Sequence, residues 1–348
     1  MTIPAHYVRK LNLKNDTINL THGAGGLATA QLIEEVFAKH LTNTWLDEGH
    51  DGALLPPITH PVAVSCDAHV VTPLFFPGGD IGRLAVAGTV NDVAVCGAKP
   101  LYIAATFILE EGLSLSVLDR IVQSMAETAR EAGVAVVTGD TKVVEQGHGD
   151  GIYISTTGIG EALIDYPITG RMAKPGDAVL ISGSMGDHGT TILGQREALS
   201  FAGSVQSDTA PLNAMIQALL KNVRPVHVLR DPTRGGLAAT LNEIAHQSEV
   251  GIDLIQEAIP VKPEVDAVCE FLGLDPLFVA NEGKLIVIVP ESEADRALAA
   301  MRASPYGKDA ARIGCVTAEN PGLVQMTTPY GGKRLIDWLN GEQLPRIC

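Results

Sequence analysis

The sequence predicts an α+β fold made of two layered α/β domains, and three observations lead there. Helix-patterned stretches alternate with apolar strand-like runs through most of the chain. The alternation breaks once, where Pro175-Gly176 turns the chain just ahead of a new strand. A length of 348 residues suits two domains, and 46% apolar with 19% charged residues describes a folded globular protein.

The chain opens on about twenty polar residues. "LIEEVFAKHL" then lays Leu32, Ile33, Val36, Phe37 and Leu41 along one helical face. "HPVAVSCDAHVV" alternates as a strand, with Val62, Val64, Cys66 and Val70 on one side and Ser65, Asp67 and His69 on the other. "DIGRLAVAGTVNDVAVCGA" reads as a helix of small residues, followed by the strand "PLYIAATFIL". "LSVLDRIVQSMAETAREAG" is the clearest helix, stopped by Gly133, and the strands "VAVVTGDTKV" and "GIYISTTGIGEA" follow it. Beyond the turn come the strand "DAVLISG", the helix "LNAMIQALL" and the segment "RDPTRGGLAATLNEIAH". The strand "GIDLIQE", the helix "EVDAVCEFLG", the strand "KLIVIVP" and the helix "EADRALAAMR" complete the second unit. These patterns divide the chain into a lead with a glycine-rich segment (1–40), an N-terminal α/β domain (41–165), a C-terminal α/β domain (170–330) and a tail (331–348). The tail is too broken by glycine and proline to build a core, which predicts a mobile end.

The 40 acidic against 25 basic residues give a net charge of −15, which disfavours a coat for nucleic acid or anionic membrane. No signal-peptide pattern and no 18-residue apolar span occur, so the expected compartment is the cytoplasm. The five cysteines form no CxxC pair, and Cys66, Cys96, Cys269 and Cys315, set in apolar segments, read as core thiols. Cys348 belongs to no periodic segment.

Asp67, Asp80, Asp92 and Asp140 recur at the ends or polar faces of first-domain elements, the hard oxygen donors that Mg²⁺ selects. Each alone reads equally as a cap or surface charge, Asp80 above all, since it opens a helix. Asp92 lies in an apolar run where an unpaired charge is costly to bury. Asp140 leaves an apolar strand with Lys142 two positions on, a carboxylate and an ammonium suited to metal, phosphate or proton transfer. "THGAGG" and "FPGGD" offer backbone N–H groups or plain turns, and neither is a P-loop. "RDPTRGG" sets Arg230, Asp231 and Arg234 before a helix, as a phosphate site or as a turn held by an ion pair. Glu282 in "FVANEGKL" is a candidate base at a strand junction.

"CDAHVVTPLFFPGGDIGRLAVAGTVNDVAVCGAKP", "GDTKVV", "GDHGTTIL", "RDPTRGGLA" and "ANEG", together with the closing "PRIC", resemble the hydrogenase maturation factors of the HypE family over almost the whole chain. Several of these motifs are shared with aminoimidazole ribonucleotide synthase and selenophosphate synthetase; the pairing of "GDHGTTIL" with "PRIC" is the specific one. The resemblance implies two α/β domains of the aminoimidazole ribonucleotide synthase-like type and a homodimer formed through first-domain strands, with ATP near the interface. It implies an ATP-dependent carbamoyl dehydratase: a partner, HypF, loads a carbamoyl group on Cys348, the S-carboxamide becomes a thiocyanate, and the cyano group passes to iron on a HypC–HypD complex. Carried over position by position, Asp67, Asp92 and Asp140 hold the metal. Asp80, Asn91, Arg230, Asp231 and Arg234 join them around the nucleotide, and Cys348, Lys142 and Glu282 do the chemistry. His188 either assists or holds loop backbone. Arg346 partly offsets the effect of the nearby carboxylate on the thiol, and thiolate activation is expected from the docked environment rather than the free tail.

Selenophosphate synthetase needs a reactive Cys or selenocysteine in its early glycine-rich loop, which "THGAGG" lacks. A maturation scaffold holding metal through one thiol has too few ligands.

Overall fold

The structure, a computed structural model, describes residues 10–197, 205–338 and 347–348. The first nine residues of the lead and residues 339–346 of the tail, Arg346 included, lie outside the described residues.

The first unit begins with helix α1 (Leu27–Leu32), which runs through a π-helical stretch, Ile33–Ala38, into α2 (Lys39–Leu41); α3 (Thr44–Asp47) follows. Then come strand β1 (Val62–His69), the short β2 (Phe75–Phe76) and β3 (Gly79–Asp80), helix α4 (Ile81–Val95), strand β4 (Ala98–Glu110), helix α5 (Leu115–Ala132), β5 (Ala135–Val144) and β6 (Ile152–Ala162). Four of the strands form one sheet in the order β1-β6-β4-β5. Helix α5 ends where Gly133 takes φ 69°, as the sequence predicts. Helix α4 lies tight on β6 because that strand has glycines beneath it. A Cβ at Gly158 would sit 2.7 Å from Thr89, and one at Gly160 would sit 2.4 Å from Val93.

The second unit contains β7 (Asp177–Ile181), α6 (Asp187–Arg196), α7 (Asn213–Asn222), β8 (Val228–Arg230), α8 (Gly236–Ser248) and β9 (Gly251–Ile255). It continues with α9 (Pro263–Leu272), β10 (Ile286–Pro290), α10 (Ala294–Arg302), β11 (Ala311–Thr317), β12 (Val324–Thr327) and β13 (Lys333–Ile336). Its sheet runs β13-β12-β9-β11-β7-β10-β8, antiparallel except for β12 on β9. Val179, Ile181, Ile286 and Ile288 pack with Leu237 and Leu241 of α8. Their neighbours Leu180, Val287 and Val289 pack on the other face with Leu219 of α7 and Met301 of α10. Burial on both faces explains why "AVLI" and "IVIV" are unbroken apolar runs.

Polar bonds join the units. Asn91 donates to the Ala210 carbonyl at 3.0 Å and accepts from the Leu212 N–H at 2.7 Å. The Arg83 Nε donates to Thr209 O at 2.8 Å, and Arg83 also pairs with Glu131. No helix among the described residues is long and apolar enough to cross a membrane.

Three expectations change. Cys66 and Cys96 are exposed and Cys315 is half-buried, which leaves Cys269 as the buried thiol of the four. The faces of β1 are inverted: Val62 and Val64 are 52% and 62% exposed, whereas Asp67 and His69 turn toward α4. The tail also does not end in solvent, since Ile347 is 4% exposed within the first core and Cys348 packs against it.

Candidate functional site

A cleft of about 480 Å³ lies between the two units, lined by Asp67, Asp92, Asp231, Arg234, Glu282 and Cys348 among others. Asp67 comes from the end of β1 and Asp92 from α4, the helix that β6 glycines let close on the sheet. Thr89 donates to Asp67 at 2.9 Å and Ser65 to Asp92 at 2.7 Å. Burial, then the charge of Asp67, holds the Asp92 carboxyl above its ordinary value. Asp231 enters from the turn after β8; burial, then Asp92, pushes it up to about 7. Arg230 beside it pairs with Glu243 at 2.7 Å. His69, buried behind the acids, is driven down to about 4 by desolvation and is neutral.

Glu282 is 5% exposed, and its Oε1 has no hydrogen-bond partner. Burial first, then Asp208, Asp231, Asp67 and Asp92, pushes its carboxyl well above the usual range. A carboxyl raised in this way is a strong base once ionised. The Cys348 thiol lies in hydrogen-bonding contact with it. Burial, then Glu282, pushes that thiol up to about 12, with Arg234 opposing. Docking thus suppresses the thiolate. The expected activation by a docked environment is not met in this cleft, where burial and Glu282 both raise the thiol.

The seat itself has partners on both units. His188, in the first turn of α6, donates from Nε2 to the Ile347 carbonyl at 2.6 Å and accepts from the Ser207 hydroxyl at 2.8 Å. The Val70 N–H donates to the Cys348 main-chain oxygen at 2.9 Å. The two readings of His188 merge, since the backbone it holds is the tail's.

The other expected positions lie elsewhere. Asp80 is the N-cap of α4 and accepts from Gly82 N at 2.7 Å and Arg83 N at 3.1 Å, which commits its carboxylate to the helix. Asn91 spends both ends of its amide on the join between units, so neither expected ligand reaches the cleft. Asp140 and Lys142 pair with each other at 2.7 Å on β5, both exposed. Asp140 stands in register with Thr106, Ser155 and Ala68, whereas Asp67 stands in register with Thr156. The two aspartates therefore point to opposite faces of the sheet and occupy opposite edges, three strand spacings or about 14 Å apart. Within one chain the expected Asp67, Asp92 and Asp140 metal trio is not assembled. Among the described residues no group of three or more His, Cys, Asp or Glu side chains is arranged to hold a metal ion.

Of the glycine-rich stretches, Gly25 and Gly26 are open, with nothing within 4 Å of an added Cβ. Gly78 instead packs on the Ser207 backbone, where a Cβ would lie 2.5 Å from the carbonyl oxygen. Sequence reasoning missed Asp208 and Lys284. Asp208 accepts the N–H groups of Glu282 at 3.1 Å and Gly283 at 3.3 Å, and Lys284 pairs with it at 3.2 Å. Lys284 faces a second cavity, of about 370 Å³, behind the Glu282 segment. Its position two residues after Glu282 was the only local signal; Asp208 had none.

Asp67 and Asp92 bring two carboxylates with hard oxygens to one wall of the cleft, a donor set that suits Mg²⁺ completed by phosphate oxygens.

Residues 49–162 match the family described as AIR synthase related protein, N-terminal domain, and residues 174–326 its C-terminal domain. The carbamoyl dehydratase HypE of Azotobacter vinelandii is 58% identical over 341 residues, 97% of this chain and 99% of that protein. A crystal structure of the hydrogenase maturation protein HypE in complex with ATP superposes with a TM-score of 0.92 at 55% identity, covering 94% of this chain and 99% of that one. A chain of a HypE–HypF complex superposes with a TM-score of 0.78 at 49% identity, covering 88% and 99%.

Proposed function

The chain belongs to the HypE family of carbamoyl dehydratases, and from that premise we propose that its carrier is Cys348. The substrate is an S-carboxamide on that thiol, the product a thiocyanate, and the use the cyanide ligands of the iron in nickel–iron hydrogenase. One observation carries the reading: the Cys348 thiol rests against a buried, unsatisfied carboxyl, Glu282, in an acid-lined cleft.

The reaction balances as S-carboxamide plus ATP giving thiocyanate, ADP, phosphate and a proton. The carboxamide oxygen attacks the γ-phosphorus and ADP departs, which converts a poor leaving group into phosphate. The nitrogen then loses two protons in all as the C–O bond breaks and the C≡N bond forms. Glu282, in contact with the carrier sulfur, is the group placed to take one of them. Asp67 and Asp92 would hold Mg²⁺, which supplies neutralisation of phosphate charge in an otherwise anionic cleft. Arg234, the one cation lowering the docked thiol's value, faces the same space and balances charge there. Arg230 and Asp231 shape the wall.

The carrier must be loaded by HypF outside the cleft, because a docked thiol pushed up to about 12 is not a nucleophile. It hands its product to the HypC–HypD iron scaffold by the same excursion. Asp140 and Lys142 enter the chemistry from a second copy of the chain. They lie on the sheet face that also carries exposed Val62, Val64 and Ile108, an apolar face that fits a homodimer. Lys142 then meets the nucleotide of the neighbouring subunit.

The test follows intact mass with the carbamoyl donor system, then Mg²⁺ and ATP. The expected sequence is carbamoyl addition, then ATP-dependent loss of one water, both on the peptide carrying Cys348. Glu282→Gln and Lys142→Ala should load and then stall. Retention of both mass changes in Cys348→Ala would refute the carrier role.

A further inference from the structure

We propose that the cleft contains a dedicated recognition seat for the residue preceding the carrier cysteine, with His188 as its positioning residue. The proposal rests on the reading of Cys348 as carrier and adds to it how the carrier is recognised.

The seat is built from both units. Ile347 is 4% exposed and belongs to the same buried cluster as Ile192 of α6, Ala280 and Phe76. Its Cδ1 fills the space above Gly189, where an added Cβ would lie 3.2 Å from it. Gly189 also touches Val279 so closely that a Cβ would fall 2.5 Å from Cγ1. The floor of the seat therefore requires glycine, and the glycine sits one residue after the histidine that grips the tail.

His188 is held by protein groups on the side away from the tail. Its ring is fully buried, edge-on to Phe76 at 5.4 Å. The Ile347 carbonyl can only accept, which puts the ring proton on Nε2 and leaves Nδ1 to accept from Ser207, whose oxygen is also bonded to Thr209 at 2.7 Å. Desolvation lowers the pKa of the ring and keeps it neutral. A neutral ring with one committed donor, aimed at a carbonyl 159 residues away, specifies a peptide backbone rather than an anion. The Val70 N–H, 2.9 Å from the Cys348 main-chain oxygen, grips the next residue from the opposite wall. Two backbone bonds and one apolar side chain thus fix the register that puts Sγ at Glu282. The ligand class is an extended peptide with an aliphatic residue immediately before cysteine.

The test needs two readouts on the full-length chain. The first is the alkylation rate of Cys348 by peptide mapping, in the isolated protein without ATP or donor, with an added thiol peptide as internal standard. Ile347→Asp and His188→Ala should each speed alkylation of Cys348 roughly tenfold or more, because burial of an aliphatic side chain or the backbone bond is lost. Ile347→Val should stay near the parent, and His188→Gln, which keeps an N–H donor, should recover most of the protection. The second readout is the single-turnover dehydration rate per loaded thiol, which should fall in the same order. Parental protection in both Ile347→Asp and His188→Ala would overturn the seat. So would equal loss of protection in His188→Gln and His188→Ala, since that would reduce the ring to packing. Protection that behaves as expected while the parent shows no carbamoyl chemistry would instead overturn the carrier reading and leave the seat standing.

Discussion

At the scale of single residues, the cleft is a collection of charges that the fold holds at a cost. Asp231, pushed up to about 7 by burial and by Asp92, illustrates the sign. A carboxyl whose value is raised on folding destabilises the fold when ionised, so the penalty is present above pH 7 and fades as pH falls below it. The penalty builds between the ordinary value and about 7, so Asp231→Asn should raise the Tm by roughly 2–4 °C at pH 8 and by less than half as much at pH 5 in thermal denaturation. A gain of the same size at both pH values would mean that packing, not charge, sets the effect. Cys348 follows the same logic with opposite use. Its position in the cleft favours the protonated thiol, so an unloaded Cys348 is chemically quiet while docked.

At the scale of elements, much of the fold was legible because helices and buried strands keep their period. Helix α5 with its Gly133 stop and the all-apolar β7 and β10 lie where the pattern puts them. Strand β1 was legible as a strand but not in orientation, since its apolar side faces outward and its polar side carries Asp67 to the cleft. The site was legible where it sits on one element, as with Glu282 and Asp92. It was not legible where contact depends on register between distant strands, which is why Asp140 was grouped with Asp67. Asp208 and His188 act on residues far away in the chain, and no local pattern announces such contacts. The Glu282–Lys284 segment has its own prediction. A Cβ on Gly283 would fall 1.8 Å from the Asp208 carbonyl oxygen, a backbone collision that only displacement can relieve. Gly283→Ala should fold with a lowered Tm and lose dehydration while still accepting carbamoyl. Parental dehydration in that variant, read by intact mass, would show that the segment tolerates movement without moving Glu282.

At the scale of the whole molecule, the two units and the tail make one cleft, and the exposed sheet face carries the proposed second copy. Val64→Lys, at a side chain 62% exposed, should turn a dimer into a monomer by light scattering and abolish dehydration. Co-expressed Lys142→Ala and Cys348→Ala chains should recover turnover in mixed dimers if Lys142 works across the interface; no recovery would confine it to its own chain. Strand β1 links these two roles. Val64 on its outer side and Asp67 on its inner side are three residues apart on one rigid backbone. Dilution then acts as an off-switch: specific activity per chain should decline at low concentration by mass action alone. In the proposed pair, output scales with how often two chains meet.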